Sequence, residues 1–90
     1  MDPRPVAFGL QVHPNPSNTG PAFRWQIIEE AVYDVSVYDI LGRKVETLRQ
    51  EVMPVGFYIQ RTKRELASGV YFAVISKYND RRVVKFAVLR

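Results

Sequence analysis

The stretch Val37-Tyr38-Asp39-Ile40-Leu41-Gly42-Arg43-Lys44-Val45 decides the fold that this sequence predicts. Before it, residues 33–38 alternate between apolar and mostly polar side chains, which is the period of a half-buried strand. Asp39 ends the alternation, because its carboxylate can accept hydrogen bonds from backbone N–H groups two residues on. Gly42 can take the positive φ that a hairpin turn with a glycine bulge requires. The stretch therefore predicts a β-hairpin whose second strand runs over residues 44–49.

Length and composition limit the chain to one small domain. Its 90 residues are 47% hydrophobic and 12% aromatic, which is enough for one modest core. We treat residues 1–90 as a single domain, with residues 1–5 as a linker that lacks the apolar region of a signal peptide. The absence of cysteine excludes disulfides, zinc–thiolate sites and a cysteine nucleophile. No apolar run approaches the roughly 20 residues of a membrane helix, so no membrane insertion is expected.

The net charge of +4 and the pI of about 9.7 admit two interpretations. A basic domain can bind nucleic acid or another anionic surface, or it can be an ordinary domain with an arginine-rich surface. The basic residues are scattered and mixed with acidic ones, with small groups only at Arg61-Lys63-Arg64 and Arg81-Arg82. A surface that follows phosphates shows a tighter basic stripe, so no nucleic-acid partner is expected.

Short strand-like segments follow one another, with turn signals about every 8–12 residues and no helical window. This spacing predicts a seven-stranded antiparallel β-sandwich of the immunoglobulin or fibronectin kind. The segment 70–75 is apolar on both faces and is expected to be a central strand. The predicted strands are 6–13, 22–28, 33–38, 44–49 (closed by residues 50–51), 57–62, 70–75 and 83–89.

Three details of this sandwich follow from single residues. Trp25 is either a sugar-stacking platform or a core anchor, and its face-mates Phe23 and Ile27 favour the core. The inward face of segment 57–62 is open, since either Phe57 with Ile59 or Tyr58 with Gln60 can point inward. The proline-rich segment 14–21 is expected to be a stiff connector without regular structure. The side chains expected to protect sheet edges are Arg24, Lys77 and Lys85.

No arrangement of catalytic or metal-ligating residues is visible. His13 is the only histidine, so a histidine triad or a histidine cluster is excluded. Asp34, Asp39 and Asp80 are isolated and form no calcium loop, and the glycines are too far apart for a phosphate-cradling loop. We therefore expect neither enzymatic activity nor a cofactor.

Four blocks of the sequence, in order, resemble the C-terminal sorting domain (type A) of bacterial type IX secretion cargo. Residues 12–18 resemble its Tyr-Pro-Asn-Pro block, with His13 in place of the usual tyrosine. Residues 35–45 resemble its Val-Tyr-Asp-x-x-Gly-Arg-x-Val block, residues 66–72 its Leu-x-x-Gly-x-Tyr block, and residues 84–90 its closing basic-apolar block. The residues that carry the match outside the closing block are Pro14, Asn15, Pro16, Tyr38, Asp39, Gly42, Arg43, Gly69 and Tyr71.

The resemblance implies a secretion address attached to the end of an exported cargo protein. It implies that the type IX machinery of the outer membrane reads the domain in the periplasm. A sortase-like peptidase then usually removes it, often attaching the cargo to a surface lipopolysaccharide, so that the cargo ends at the cell surface or outside the cell. The segment 50–69 is where the chain resembles the family least.

A signal that is a folded domain must be recognised by its surface, and the candidate is the C-terminal strand. Lys85 and Arg90, with Leu89 between them, offer two charges at fixed spacing, and the strand edge can pair with a receptor strand. The alternative is that Lys85 only protects an edge and that Arg90 is only a frayed end.

Two other functions stay open on the sequence. The immunoglobulin-like domain of the flagellar hook-capping protein shares the Val-Tyr-Asp-x-x-Gly-Arg hairpin, which makes a structural or assembly role the first alternative. The Pro-Asn-Pro block argues for sorting instead. A carbohydrate-binding module is the second alternative, and it needs exposed aromatic side chains on one face, with Tyr38, Tyr58 and Tyr78 as candidates.

Overall fold

The structure, a computed structural model, describes residues 4–90. This part of the chain forms seven strands and no helix, and so contains no helix long and apolar enough to cross a membrane. The strands are β1 (Gly9–His13), β2 (Ala22–Ile27), β3 (Ala31–Asp39), β4 (Lys44–Met53), β5 (Gly56–Gln60), β6 (Gly69–Lys77) and β7 (Asp80–Val88).

The strands form two antiparallel sheets, which confirms the predicted seven-stranded sandwich. One sheet has the order β1-β2-β5 and the other the order β4-β3-β6-β7. The fourth strand pairs with the third across the predicted hairpin. In a constant-type immunoglobulin domain the fourth strand belongs to the other sheet, so the topology departs from that type at this strand. β6 lies between β3 and β7, which confirms the central strand expected from its two apolar faces.

The core fills the space between the two sheets. Alternate residues are buried at 23–27 on β2, 33–37 on β3 and 71–75 on β6, as period-two alternation requires when one face of a strand meets another sheet. Trp25 is 2% exposed, its ring is stacked on Tyr58 with 5.7 Å between centroids, and its Nε1–H donates to Met53 Sδ at 3.3 Å. Trp25 is therefore a core residue, as its face-mates predicted.

The hairpin turn between β3 and β4 is built by one carboxylate and one glycine. Asp39 Oδ1 accepts hydrogen bonds from the backbone N–H groups of Leu41 (2.9 Å) and Arg43 (3.0 Å), while Arg43 Nε donates to Asp39 Oδ2 at 2.9 Å. The N–H of Gly42 donates to the carbonyl of Asp39 at 3.0 Å, and Gly42 has φ of 82°. Both the turn and the positive φ at Gly42 are confirmed.

Replacing Gly42 with valine should lower the free energy of unfolding by roughly 1–3 kcal/mol, because a β-branched residue is strained at positive φ. No atom of the described chain outside the neighbouring residues lies within 4 Å of the added Cβ, so the cost comes from the backbone alone. Gly42→Asn is the matched control. Because asparagine tolerates a left-handed backbone, this variant should lose less free energy of unfolding than Gly42→Val. Equal midpoints of urea unfolding for Gly42→Val and the parent would contradict this strain argument.

Acidification should weaken this turn in a way that depends on Asp39. Hydrogen bonds from the Arg43 backbone, and then from its side chain, lower the pKa of the Asp39 carboxyl. A lowered pKa in the folded state stabilises the fold above the unfolded pKa, and this contribution is lost as the pH falls through the folded value. The stability difference between the parent and Asp39→Asn should therefore shrink between about pH 7 and about pH 2 in urea titrations. A difference that does not change with pH would contradict the assignment.

Several strand boundaries differ from the prediction. β1 begins at Gly9 rather than at residue 6, and β4 continues to Met53 rather than ending at residues 50–51. β7 begins at Asp80 rather than at residue 83, because a two-residue turn at Tyr78-Asn79 closes the last hairpin. The residues of this turn have negative φ, since the positive φ values of the described chain belong to glycines. At β4 and β7, longer pairing between neighbouring strands satisfies more backbone groups, and this favours the extended ends. β1 starts later than predicted, and β5 ends at Gln60 rather than at residue 62.

The pairing of β5 settles its inward face. Tyr58 pairs with Trp25 on β2, and directly opposed residues of an antiparallel pair project from the same face. Tyr58 and Gln60 therefore face the core side, while Phe57 and Ile59 are 59% and 61% exposed.

Two of the three residues expected to protect edges lie elsewhere. Arg24 belongs to β2, the middle strand of its sheet, and Lys77 belongs to β6, an inner strand. Only Lys85, on β7, lies on an edge strand. The prediction was wrong for Arg24 and Lys77 because strand order is set by tertiary pairing, which single-strand patterns do not contain.

Candidate recognition surface

Residues 14–17, here called the proline strap, run along the outer edge of β7. The side chain of Asn15 bonds this edge twice: Nδ2 donates to the carbonyl of Lys85 at 3.0 Å, and Oδ1 accepts from the N–H of Ala87 at 3.1 Å. Ser17 then bonds the next step, donating its N–H to the carbonyl of Ala87 at 3.0 Å and accepting from the N–H of Leu89 at 2.8 Å. The Asn15 amide and the Ser17 backbone thus act as a short strand beside β7.

The strap changes the interpretation of the C-terminal strand. The backbone groups of residues 85–89 that face outward are already bonded by Asn15 and Ser17. Pairing with a receptor strand over this part of β7 would require the strap to leave. Edge pairing over residues 85–89 therefore stays a prediction that requires this displacement, because the strap covers the edge that a free strand would expose.

Replacing Asn15 with alanine should lower the free energy of unfolding by about 1–3 kcal/mol, because two backbone groups of β7 lose their partner and neutral hydrogen bonds contribute about 0.5–1.5 kcal/mol each. The matched control is Asn18→Ala in the same loop, since the Asn18 side chain makes no hydrogen bond among residues 4–90. Thermal unfolding of both variants measures the difference. Equal losses for the two would show that the strap contacts contribute nothing.

Arg90 is bound rather than frayed. Its N–H donates to Ser68 Oγ at 2.9 Å, and its Nε donates to the carbonyl of Leu66 at 2.6 Å. Its guanidinium also pairs with Glu65 at 2.8 Å. The alternative of a frayed end is wrong, because these contacts hold residue 90 against the loop between β5 and β6.

Lys85 lies on the outer face of the four-stranded sheet. The pairings Tyr38–Lys44, Tyr38–Phe72 and Phe72–Lys85 place these side chains in one row across the sheet. Lys44 Nζ lies 5.9 Å from the centroid of the Tyr38 ring. Lys85 is exposed, and among residues 4–90 it forms no ion pair. Leu89, the third residue of the predicted recognition set, is also exposed and lies beside the strap.

The Leu-x-x-Gly-x-Tyr block is a corner of the fold. Leu66 and Tyr71 are buried, and the Tyr71 ring stacks on Phe86 with 5.5 Å between centroids. The Tyr71 hydroxyl donates to the carbonyl of Ala67 at 2.7 Å, four residues back. This matches the tyrosine corner of immunoglobulin-like domains, in which a tyrosine near the start of the sixth strand bonds the preceding loop. Gly69 lies against the same ring, where an added Cβ would have ordinary contact at 3.7 Å.

All four sequence blocks meet at one end of the sandwich. The pairing of Asp39 with Tyr71 puts the β3–β4 turn beside the start of β6. The pairing of Gly69 with Val88 brings the end of β7 to the same place. The strap follows β1 and bonds residues 85–89, so it joins this end as well. We call this surface, formed by residues 14–21, 39–43, 61–69 and 89–90, the motif end.

The aromatic residues proposed for sugar binding do not share a face. Tyr38 is on the outer face of the four-stranded sheet, whereas Tyr58 is half-buried against Trp25. Tyr78 is fully exposed at the turn between β6 and β7, at the end opposite the motif end. Tyr38 and Tyr78 line one concave surface of the four-stranded sheet, but Tyr58 belongs to the other sheet, so the three tyrosines proposed as a set do not form one face.

Sequence reasoning missed Ser17 at the motif end and Glu46, a residue of β4 that bonds the β5–β6 loop. Ser17 is 2% exposed, bonds β7 through its backbone and accepts the N–H of Gly20 on its Oγ at 2.9 Å. Glu46 accepts the backbone N–H groups of Lys63 and Arg64 at 2.8 and 3.3 Å and so fixes the β5–β6 loop. No local pattern marks either residue, because their partners are 17 or more residues away or depend on the loop conformation.

The fold and the grouped motif residues define a class: a small β-sandwich module that presents a composite loop surface at one end. The model of one family, described as the secretion system C-terminal sorting domain, matches residues 11–89. The chain belongs to this family, and it is a C-terminal sorting signal for type IX secretion. Membership implies an attached cargo protein, an interaction with the type IX machinery, and a route to the cell surface or the extracellular space. No curated protein matches the chain.

Proposed function

We propose that this domain is a non-catalytic address that is read in the folded state through its motif end. The observation that supports the proposal is the convergence of the four sequence blocks on one end of the sandwich. If the motifs only maintained the fold, they would have no reason to share one end, since strands and turns are needed at both ends. A folded address also accounts for a tightly bonded end, because surface recognition requires a fixed geometry.

The finer steps of the pathway belong to the same proposal. The cargo precedes the domain, passes through the periplasm while the domain is folded, and is released when a sortase-like peptidase cuts before the sandwich. The position of β1 supports a cut on its N-terminal side, because Gly9 begins the first of the seven strands and a cut before it leaves both sheets intact. The sandwich that is removed from the cargo would thus keep its whole core.

A passenger fusion tests the proposal. Residues 4–90 are placed behind an inert periplasmic passenger in a host that has the type IX machinery, and in the same host without it. We expect the passenger outside the outer membrane in the first host and in the periplasm in the second. A fusion that folds but stays in the periplasm of the competent host would overturn the sorting role of this surface.

A structural or assembly role is the second candidate, and the shared hairpin of the hook-capping immunoglobulin-like domain is its support. The kinship with that domain is likewise a proposal that rests on the Val-Tyr-Asp-x-x-Gly-Arg stretch. A spacer needs its fold but not its surface charges. An intact fusion that folds but stays in the periplasm of the competent host would favour the spacer.

A further inference from the structure

A group of cations lies at the motif end outside the family blocks. Arg61, Lys63 and Arg64 belong to the loop between β5 and β6, in the segment that resembles the family least. All three are exposed, and none forms an ion pair among residues 4–90. With Arg90 they line a cleft of about 180 Å³ that is closed on its other side by residues 19–21. Glu65 also lines this cleft, and its carboxylate pairs with Arg90 at 2.8 Å, so the charges left without an ion pair are those of Arg61, Lys63 and Arg64.

The loop that carries these cations is fixed without neutralising them. Glu46 holds the backbone N–H groups of Lys63 and Arg64 and leaves their side-chain charges uncompensated at contact distance. Arg61 donates to the carbonyl of Gly20 at 3.0 Å, and Arg64 donates to the carbonyl of Val45 at 3.4 Å. A carbonyl orients a guanidinium but carries no net charge, so the remaining N–H donors stay free for an anion.

The surroundings of the cleft point to a protein partner. The same end of the sandwich exposes apolar side chains at the tip of the β3–β4 turn, where Ile40 and Leu41 are 65% and 73% exposed. Arg64 bonds the carbonyl of Val45, just after this turn. Apolar contacts beside arginines are the composition of protein–protein interfaces. A volume of about 180 Å³ also lies below the roughly 300–1,000 Å³ of small-ligand pockets, and it suits one or two carboxylate side chains.

We propose that the cleft lined by Arg61, Lys63 and Arg64 docks an acidic segment of a protein of the secretion machinery. The segment supplies aspartate or glutamate carboxylates to the free guanidinium and ammonium donors, and apolar side chains to Ile40 and Leu41. This inference rests on the proposed function. It adds a contact that the four family blocks do not contain.

Charge reversal in the passenger fusion tests the cleft. Lys63→Glu with Arg64→Glu should reduce export at least tenfold, because the acidic segment would meet repulsion. The matched control is Arg24→Glu with Arg81→Glu, which changes the net charge equally at two exposed cations that are also free of ion pairs among the described residues. The control should be exported at the parent's rate. Far-UV spectra and melting temperatures verify that both variants are folded.

The outcomes separate this inference from the proposed function. A parent fusion that is not exported refutes the proposed function itself. A parent that is exported together with a folded reversal variant exported equally well refutes only the cleft. Equal losses in the reversal variant and the control would also refute the cleft, since net charge and not this site would then be read.

A photo-cross-linking amino acid at position 63, with position 81 as the control, identifies the partner class. We expect a protease-sensitive adduct at position 63 in the competent host, whose partner peptide is rich in aspartate or glutamate. An adduct that resists protease and carries saccharide would overturn the protein partner. The absence of any adduct at position 63 in a fusion that is exported would overturn docking at the cleft.

Discussion

Replacing Trp25 with alanine should lower the free energy of unfolding by about 3–5 kcal/mol, the range for large aromatic residues removed from a core. Trp25 is 2% exposed, stacks on Tyr58 and donates its Nε1–H to Met53 Sδ. Alanine removes both contacts and leaves a cavity between the two sheets. The free energy of unfolding of a small domain is about 5–15 kcal/mol in total, so the variant should lose a large share of its stability.

The control for Trp25→Ala is Phe57→Ala on the neighbouring strand β5. Phe57 is also aromatic and belongs to the same sheet, but it faces outward and is 59% exposed. Its removal should change the free energy of unfolding by less than about 1 kcal/mol. Denaturant unfolding followed by circular dichroism compares the two. A Trp25→Ala variant that unfolds at the same denaturant concentration as the parent would show that the core is not organised around this ring.

The β3–β4 hairpin could be predicted because its information is local. The alternation of residues 33–38, the carboxylate of Asp39 and the glycine at 42 lie within ten residues, and each acts on its own neighbours. Burial of Trp25 was predictable for the same reason, since Phe23 and Ile27 mark its face. The identity of the recognition surface is different, because it depends on which loops share an end of the sandwich.

The features that escaped prediction are those set by pairing between distant segments. Asn15 and Lys85 are 70 positions apart, and a single side-chain amide that completes a strand edge leaves no periodic signal. The inward face of β5 was undecided because each face of the strand carries an aromatic residue, Phe57 on one and Tyr58 on the other. The pairing of Tyr58 with Trp25 decides which face points inward. The misplacement of Arg24 and Lys77 has the same cause, since edge or centre is a property of the sheet.

Deleting residues 83–90 should abolish export of the passenger fusion and also unfold the domain. The segment contains most of β7, and Phe86 and Val88 are 2% and 0% exposed. Each such side chain contributes about 1.5–3 kcal/mol through burial. The Phe86 ring packs against the rings of Phe23 and Tyr71, with 5.3 and 5.5 Å between ring centroids. The deletion also removes the strand that the strap bonds. Loss of export in this variant alone therefore cannot tell a missing fold from a missing signal.

The variant Lys85→Ala with Arg90→Ala separates fold from signal. Lys85 is exposed, and the side chain of Arg90 bonds the β5–β6 loop at the carbonyl of Leu66 and at Glu65. Exposed ion pairs contribute at most about 1 kcal/mol, so this variant should stay folded. If the two charges are read, the folded variant should accumulate in the periplasm, where cell fractionation detects it.

Single variants decide which of the two charges matters. Lys85→Ala breaks no ion pair among the described residues. Loss of export in this variant would therefore show that the Lys85 side chain on the outer face of the sheet is recognised directly. Loss with Arg90→Ala alone would implicate the β5–β6 loop that Arg90 holds, and this would connect recognition to the adjacent cleft. Export of the double variant at the parent's rate would contradict both. Recognition would then lie elsewhere on the motif end: in the cleft of Arg61, Lys63 and Arg64, or on the strap, where the side chains of Pro14 and Pro16 face solvent.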